Sequence, residues 1–204
     1  MGTRRAPCLQ PQHRKRSGMN IVCVAWGSLL WNLKGFPIDG EWREGGALLP
    51  LEFARHSDGE IVSLVVLESG PLQPTFWARV ALDSLDAARE ALRAREDVRA
   101  NVVEWIGSIP APHGMAYPQS HAIASWLERN GADAVIWTAL PPKSREVNGR
   151  MPSVDEAVTY LQSLGEEERI RAEAYVRQSP AGIRTPFRER FEDAFGWTPT
   201  SADS

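Results

Sequence analysis

A chain of 204 residues is sized for one domain, or for one domain with an appendage. Its 43% apolar content and eight tryptophans supply a core and exclude global disorder, and no run of eighteen apolar residues is present to cross a membrane as a helix. The net charge of −3 hides an asymmetry: residues 1–18 hold Arg4, Arg5, Arg14, Lys15 and Arg16 and no acid, which leaves eighteen basic against twenty-six acidic side chains in the rest.

An acidic body argues against a nucleic-acid enzyme, so neither nucleic acid nor membrane is expected among the partners. The basic start lacks the apolar stretch of a secretory signal. Residues 1–18 are expected to be a disordered tail ahead of a body that opens at Met19, with a functional arm as the alternative. Of the two cysteines, Cys8 and Cys23, the second lies inside an apolar run. A disulfide framework is not indicated, and a reducing, cytoplasmic setting fits.

Residues 20–30 carry the β-branched and aromatic pattern of a buried strand. "GGALLPLEFARHS" and "EIVSLVVLES" predict two more, joined through Ser57-Asp58-Gly59 as a hairpin, and "TFWARVAL" a fourth. The period then changes. "SLDAAREALRARE" sets Leu85, Ala88 and Leu92 on one helical face, with Asp83 or Ser84 as N-cap. "ANVVEWIGSI" returns to strand, "SHAIASWLERNGA" is an amphipathic helix stopped by Gly131, and "DAVIWTAL" is a continuous apolar strand closed by Pro141-Pro142. Beyond 142 three helices are expected: one behind a Ser153/Glu156 capping box, one over "EEERIRAEAYVRQ", and one entered through Thr185-Pro186 and left at Gly196. The fold class is α+β, a mainly antiparallel, barrel-like sheet with interspersed helices and a helical C-terminus.

Two places carry candidate chemistry. The first strand breaks at Gly27-Ser28 between Trp26 and Trp31. Such a break either turns backbone N–H groups outward as an anion nest, with the Ser28 hydroxyl as a further donor, or is an ordinary turn. The second is Glu96, four residues beyond Leu92 and so on the apolar stripe, at the negative end of the helix dipole. Partial burial there suits a carboxyl for acid–base work, while Arg93 and Arg95 oppose it. The alternative is a surface acid on a fraying helix end.

The order of these pieces is distinctive: a strand ending in Gly-Ser-Leu, further strands, a strand with Trp before a helix, and a helix ending "LRARED". It resembles the γ-glutamylcyclotransferase-like family. Trp26-Gly27-Ser28-Leu29 stands where that family carries Tyr-Gly-Ser-Leu, and Glu96-Asp97-Val98 where it carries its catalytic glutamate followed by glycine and valine. "GGALLPLEFARHS", with Phe53 and Arg55, looks like the segment between them. The resemblance spans residues 20–106 and extends through "DAVIWTAL"; "YVRQSPAGIRTPFRERFEDAFGW" looks like an extension found on a bacterial branch. Trp26 and Asp97 depart from the motifs, the first losing a hydroxyl and the second adding a charge beside Glu96.

The resemblance implies a core over 19–142, a packed helical extension over 143–197 and a tail over 198–204. It implies an acyl transferase or lyase that closes a γ-glutamyl amine or peptide to 5-oxoproline and releases the amine. Glu96 would be the catalytic acid–base. Trp26, Gly27, Ser28, Leu29, Leu30 and Arg55 would hold the substrate, with no metal or organic cofactor. The oligomeric state is left open, a homodimer included. The other reading is a non-catalytic binding or protein-interaction module on the same fold, and a third is a relative acting on a different acyl group. Glu52, Glu90 and Glu104 are the competing acids, each with an ordinary structural role as alternative. His56, His113 and His121 lack metal-ligand spacing. Leu161, Leu164, Tyr175, Phe187, Phe191, Phe195 and Trp197 are expected to pack helices.

Overall fold

The computed structural model describes residues 18–57, 60–144 and 147–200. The basic tail over 1–17, the Asp58-Gly59 turn and residues 201–204 lie outside them. In chain order the elements are β1 (Ile21–Ala25), β2 (Ile38–Glu44), β3 (Leu49–Ser57), β4 (Glu60–Val66), β5 (Leu72–Gln73), β6 (Phe76–Val80), α1 (Leu85–Arg95) and β7 (Ile106–Ile109). Then come α2 (Ser120–Asn130), β8 (Ala134–Thr138), β9 (Lys143–Ser144), β10 (Val147–Asn148), α3 (Val154–Ser163), α4 (Glu166–Gln178) and α5 (Pro186–Phe195).

β1 is buried along its whole length, and its alternating side chains serve two cores. Val22 and Val24 join one cluster; Ile21, Cys23 and Ala25 join the other. A period of two imposes that division on a strand covered on both faces. On one side Leu51 and Phe53 of β3, Leu64 of β4 and Leu161, Val176 and Phe191 of the last three helices pack together. On the other side Ala88 and Leu92 of α1 pack with Ile106 and Ile136. The C-terminal helices therefore share a core with the sheets.

The sheet around β1 runs β2-β6-β1-β8-β7, and a second runs β10-β9-β3-β4, with β5 on β3. Pairing is mainly antiparallel; β1 with β8 and β3 with β9 are the parallel pairs. The fold is thus mixed α+β with five helices, as the patterning predicts. Among the described residues the two sheets are not closed into a barrel, so the barrel-like expectation is not confirmed.

Three boundaries also differ from the sequence reading. The first strand stops at Ala25, because Leu30 N–H bonds back to the Gly27 carbonyl and Asn32 N–H to Ser28, winding residues 28–30 into a short 3₁₀ turn. Val103–Trp105 likewise turn before β7 begins at Ile106. β2 is a largely exposed edge strand rich in charge, so no apolar alternation announces it.

Capping goes as the sequence predicts. Ser84 accepts from Ala87 N–H, Ser153 and Glu156 form a reciprocal box, and Thr185 accepts from Arg188 N–H ahead of Pro186. Arg188 does more than extend its helix. It is fully buried, and its guanidinium donates to the carbonyls of Val176, Ser179, Pro180 and Ile183 at 2.6–2.8 Å. Burial lowers its pKa to about 10, which leaves it a cation at neutral pH. These bonds satisfy carbonyls at the end of α4 and in the turn beyond it, which a helix terminus otherwise leaves unpaired. We expect Arg188→Met, similar in length but unable to donate, to lose at least ~3 kcal/mol in urea unfolding. A loss under ~1 kcal/mol, the scale of a surface substitution, would show that the clamp is dispensable.

Candidate functional site

Because β1 and β8 are parallel, their C-terminal ends reach the same edge of the sheet. The Gly27-Ser28 break leaves one end, Thr138 stands at the other, and the end of α1 packs beside them. That end has a defined geometry. Val98 N–H bonds to the Arg93 carbonyl and Asp97 N–H to Ala94, the paired bonds of a Schellman stop, with Asp97 left-handed at φ 53°. The stop fixes Glu96 as C-cap, its side chain only 14% exposed.

Glu96 is brought to the Gly-Ser loop, and Arg95 joins them. Arg95 Nη1 meets Glu96 Oε1 at 2.8 Å, while its Nη2 donates to Ser28 Oγ at 3.2 Å and to the Asn32 carbonyl at 2.6 Å. Thr138 Oγ1 donates to the same Glu96 oxygen at 3.1 Å. One carboxylate oxygen thus holds two partners, and among the described residues Oε2 has none. Arg93, the other cation near this end, bonds instead to Glu90 at 2.6 Å.

A further residue completes this edge. The Tyr175 hydroxyl of α4 accepts from Leu64 N–H at 3.2 Å. A Cβ on Gly27 would lie 2.6 Å from that oxygen, so glycine is needed there to admit the phenol. Burial first, with the Glu96 charge adding to it, pushes the Tyr175 hydroxyl up to about 12.

The other expected site residues divide. Trp26 does not wall an open cradle: it is 4% exposed, belongs to the core, and donates from Nε1 to the Leu64 carbonyl at 3.3 Å. Trp31 is partly exposed and stands edge-on to Tyr175 at 5.5 Å. Leu29 is buried, and the Leu30 amide is used inside the turn. Arg55 Nη1 bonds to the Pro141 carbonyl at 2.8 Å and to Asn148 Oδ1 at 3.0 Å, with the guanidinium over Trp105.

The competing acids are elsewhere. Glu104 is exposed and Glu90 pairs with Arg93. Glu52 is buried beside the start of α5; burial raises its pKa against hydrogen bonds from Thr185 and the Phe53 and Phe187 amides. A cavity of about 360 Å³ also lies apart from Glu96, lined by His56, Ser144, Ser153, Glu156, Thr159 and Tyr160 among others. His56 stacks on Tyr160 there at 4.1 Å. No metal-binding cluster of His, Cys, Asp and Glu occurs among the described residues.

Thr138 and Tyr175 are the site residues that sequence reasoning missed, and Arg95 was read only as a charge opposing Glu96. Arg95 adjoins Glu96, so its signal was one position away. Tyr175 lies far along the chain on a helix whose aromatics pattern as packing residues. Comparison of the chain with known protein families, curated proteins and solved structures gives no match.

Two stability tests follow from this geometry. Gly27→Ala should cost ~1–3 kcal/mol in thermal or urea unfolding, since the new methyl meets the phenol oxygen. In a Tyr175→Phe background, where that oxygen is gone, the cost should shrink, and equal costs would show the contact does not matter. Asp97→Gly should stabilise by ~0.5–1 kcal/mol, because glycine takes the left-handed C′ position without a Cβ penalty. A destabilising result would mean the Asp97 carboxylate has a role of its own.

Proposed function

We propose that this chain is a γ-glutamylcyclotransferase-type enzyme that closes a γ-glutamyl amine to 5-oxoproline, with Glu96 as the proton shuttle. One observation carries the reading. A single carboxylate oxygen of Glu96 is pinned by Arg95 and Thr138 beside Ser28, which leaves the other to exchange a proton. The order of Gly-Ser-Leu and helix-end glutamate along the chain supports it, as does a left-handed φ at Asp97, where the resembled family carries glycine.

The chemistry follows from what a γ-glutamyl amide contains. Its α-amine can reach its own γ-carbonyl and close a five-membered ring, but at neutral pH it is an ammonium without a free electron pair. Glu96 Oε2 takes a proton from it, and the freed nitrogen adds to the γ-carbonyl carbon. As the bond from that carbon to the departing amine breaks, the carboxyl passes to the leaving nitrogen first this proton and then the second one that the ring nitrogen sheds, so the amine departs as an ammonium. The products are 5-oxoproline and the released amine, and the carboxylate is regenerated. The Ser28 hydroxyl, accepting from Arg95, keeps its hydrogen for the folded substrate, holding it towards the attack geometry.

A specific observation favours the non-catalytic reading. The Leu30 amide bonds Gly27 and the Tyr175 phenol stands against Gly27, so the loop's nest is partly filled from within. One experiment separates the two. A panel of γ-glutamyl amines is incubated with the protein and 5-oxoproline is measured by mass spectrometry. Glu96→Gln should lower turnover by roughly 10²–10⁴-fold while ground-state binding persists. Undiminished turnover in Glu96→Gln removes the shuttle assignment; binding without any wild-type turnover selects the non-catalytic module.

A further inference from the structure

We propose that Tyr175, carried by the C-terminal extension, is a ligand-binding residue that donates its hydroxyl hydrogen to the carboxylate of a ligand held between the Gly27–Leu30 loop and Glu96. The inference rests on the functional reading above and adds to it a residue from outside the resembled motifs.

Its first support is the phenol's hydrogen-bond inventory. Tyr175 Oη accepts from the backbone amide of Leu64, which engages the oxygen as an acceptor. A tyrosine hydroxyl has one hydrogen left to give. Among the described residues that hydrogen has no acceptor, and the oxygen lies within 2.6 Å of where a Cβ on Gly27 would sit. A donor polarised by an amide on its oxygen and left unmatched beside a Gly-Ser loop is suited to an anion.

Its second support is rigidity, which argues against a removable plug. The Tyr175 ring stands edge-on to Trp31 at 5.5 Å and to Phe53 at 6.3 Å. Arg188 grips the carbonyls of Val176 and Ser179, the first of them the next residue along. A side chain held so tightly is part of the site's wall.

Its third support is Leu64, which ties this tyrosine to the substituted motif position. The Leu64 carbonyl accepts from Trp26 Nε1, and the Leu64 amide donates to Tyr175. Where Trp26 removes a hydroxyl from the strand end, α4 brings one to the same edge.

The test uses two probes that differ only in charge, 5-oxoproline and its carboxamide, with binding to the full chain measured by calorimetry. Wild type should prefer the carboxylate. Tyr175→Phe should weaken 5-oxoproline by about tenfold or more, the scale of one hydrogen bond to a charged group, and leave the carboxamide nearly unchanged. Equal weakening of both probes means a merely structural role and overturns the proposal. Tighter binding of 5-oxoproline means the phenol occupies the ligand's place and overturns it too. A wild type that binds neither probe and turns over no γ-glutamyl amine removes the functional reading itself, a different result from either. If Tyr175→Phe does not fold, ¹³Cζ-labelled tyrosine in the wild type decides. Of the three tyrosines, only Tyr175 should shift its signal on adding 5-oxoproline, and an unmoved Tyr175 signal overturns the proposal.

Discussion

The edge that holds Glu96 depends on a buried cation some way from it. Arg188 is fully buried, and four carbonyls surround its guanidinium in place of a carboxylate. Each carbonyl carries only a partial charge, so the arrangement works because four act together in a space the solvent does not screen. Its consequence is geometric. The end of α4 cannot fray, so Tyr175, one turn back from Ser179, has a fixed place above Gly27. Ser179 N–H and Oγ both bond the Tyr175 carbonyl, closing that last turn from the other side.

That fixed helix end makes the extension part of the site's construction. Phe191 stands edge-on to Phe53, and Phe53 edge-on to Tyr175, so an aromatic chain runs from α5 through β3 to the Gly-Ser loop. Arg188 lies over the same Phe53 ring at 5.4 Å. Small displacements in α5 have little slack to absorb them in interiors packed at crystal-like density.

What the sequence made legible was local. Capping pairs such as Ser153/Glu156 and Thr185/Pro186 act within a few residues, and the structure places them as read. Glu96 was legible for the same reason, since its place four residues beyond Leu92 follows from helical periodicity alone. The unread features are those that depend on distant partners. Trp26 looks like a pocket wall beside Gly27, yet what decides its role is a carbonyl 38 residues away on β4. Tyr175 belongs to a helix pattern that no rule of spacing connects to Ser28. β2 is held by pairing with β6, so its exposed, charged residues show no period of their own. The strand expected over 20–30 failed at Gly27 because backbone bonds inside the turn replace those of the ladder.

The charge arrangement at the Gly-Ser edge also bears on how an acidic body could hold the anionic group of the proposed ligand. Eighteen basic against twenty-six acidic side chains in the body repel an anion at long range, though salt screens that repulsion beyond ~8 Å. Attraction must therefore come from short contacts. Arg95 is the nearest positive charge, but it is divided among Glu96, Ser28 and the Asn32 carbonyl, so little of it is left for a ligand. Neutral donors remain: the Ser28 hydroxyl and the Tyr175 phenol. An edge with one paired carboxylate and two neutral donors matches a ligand carrying an ammonium and a carboxylate close together better than it matches a simple anion. In the proposed reading the ammonium would be drawn to Glu96 and the carboxylate to the donors across from it. An α-amino acid end has that pattern, and the γ-glutamyl unit presents it with its reacting carbonyl three carbons from the nitrogen-bearing centre.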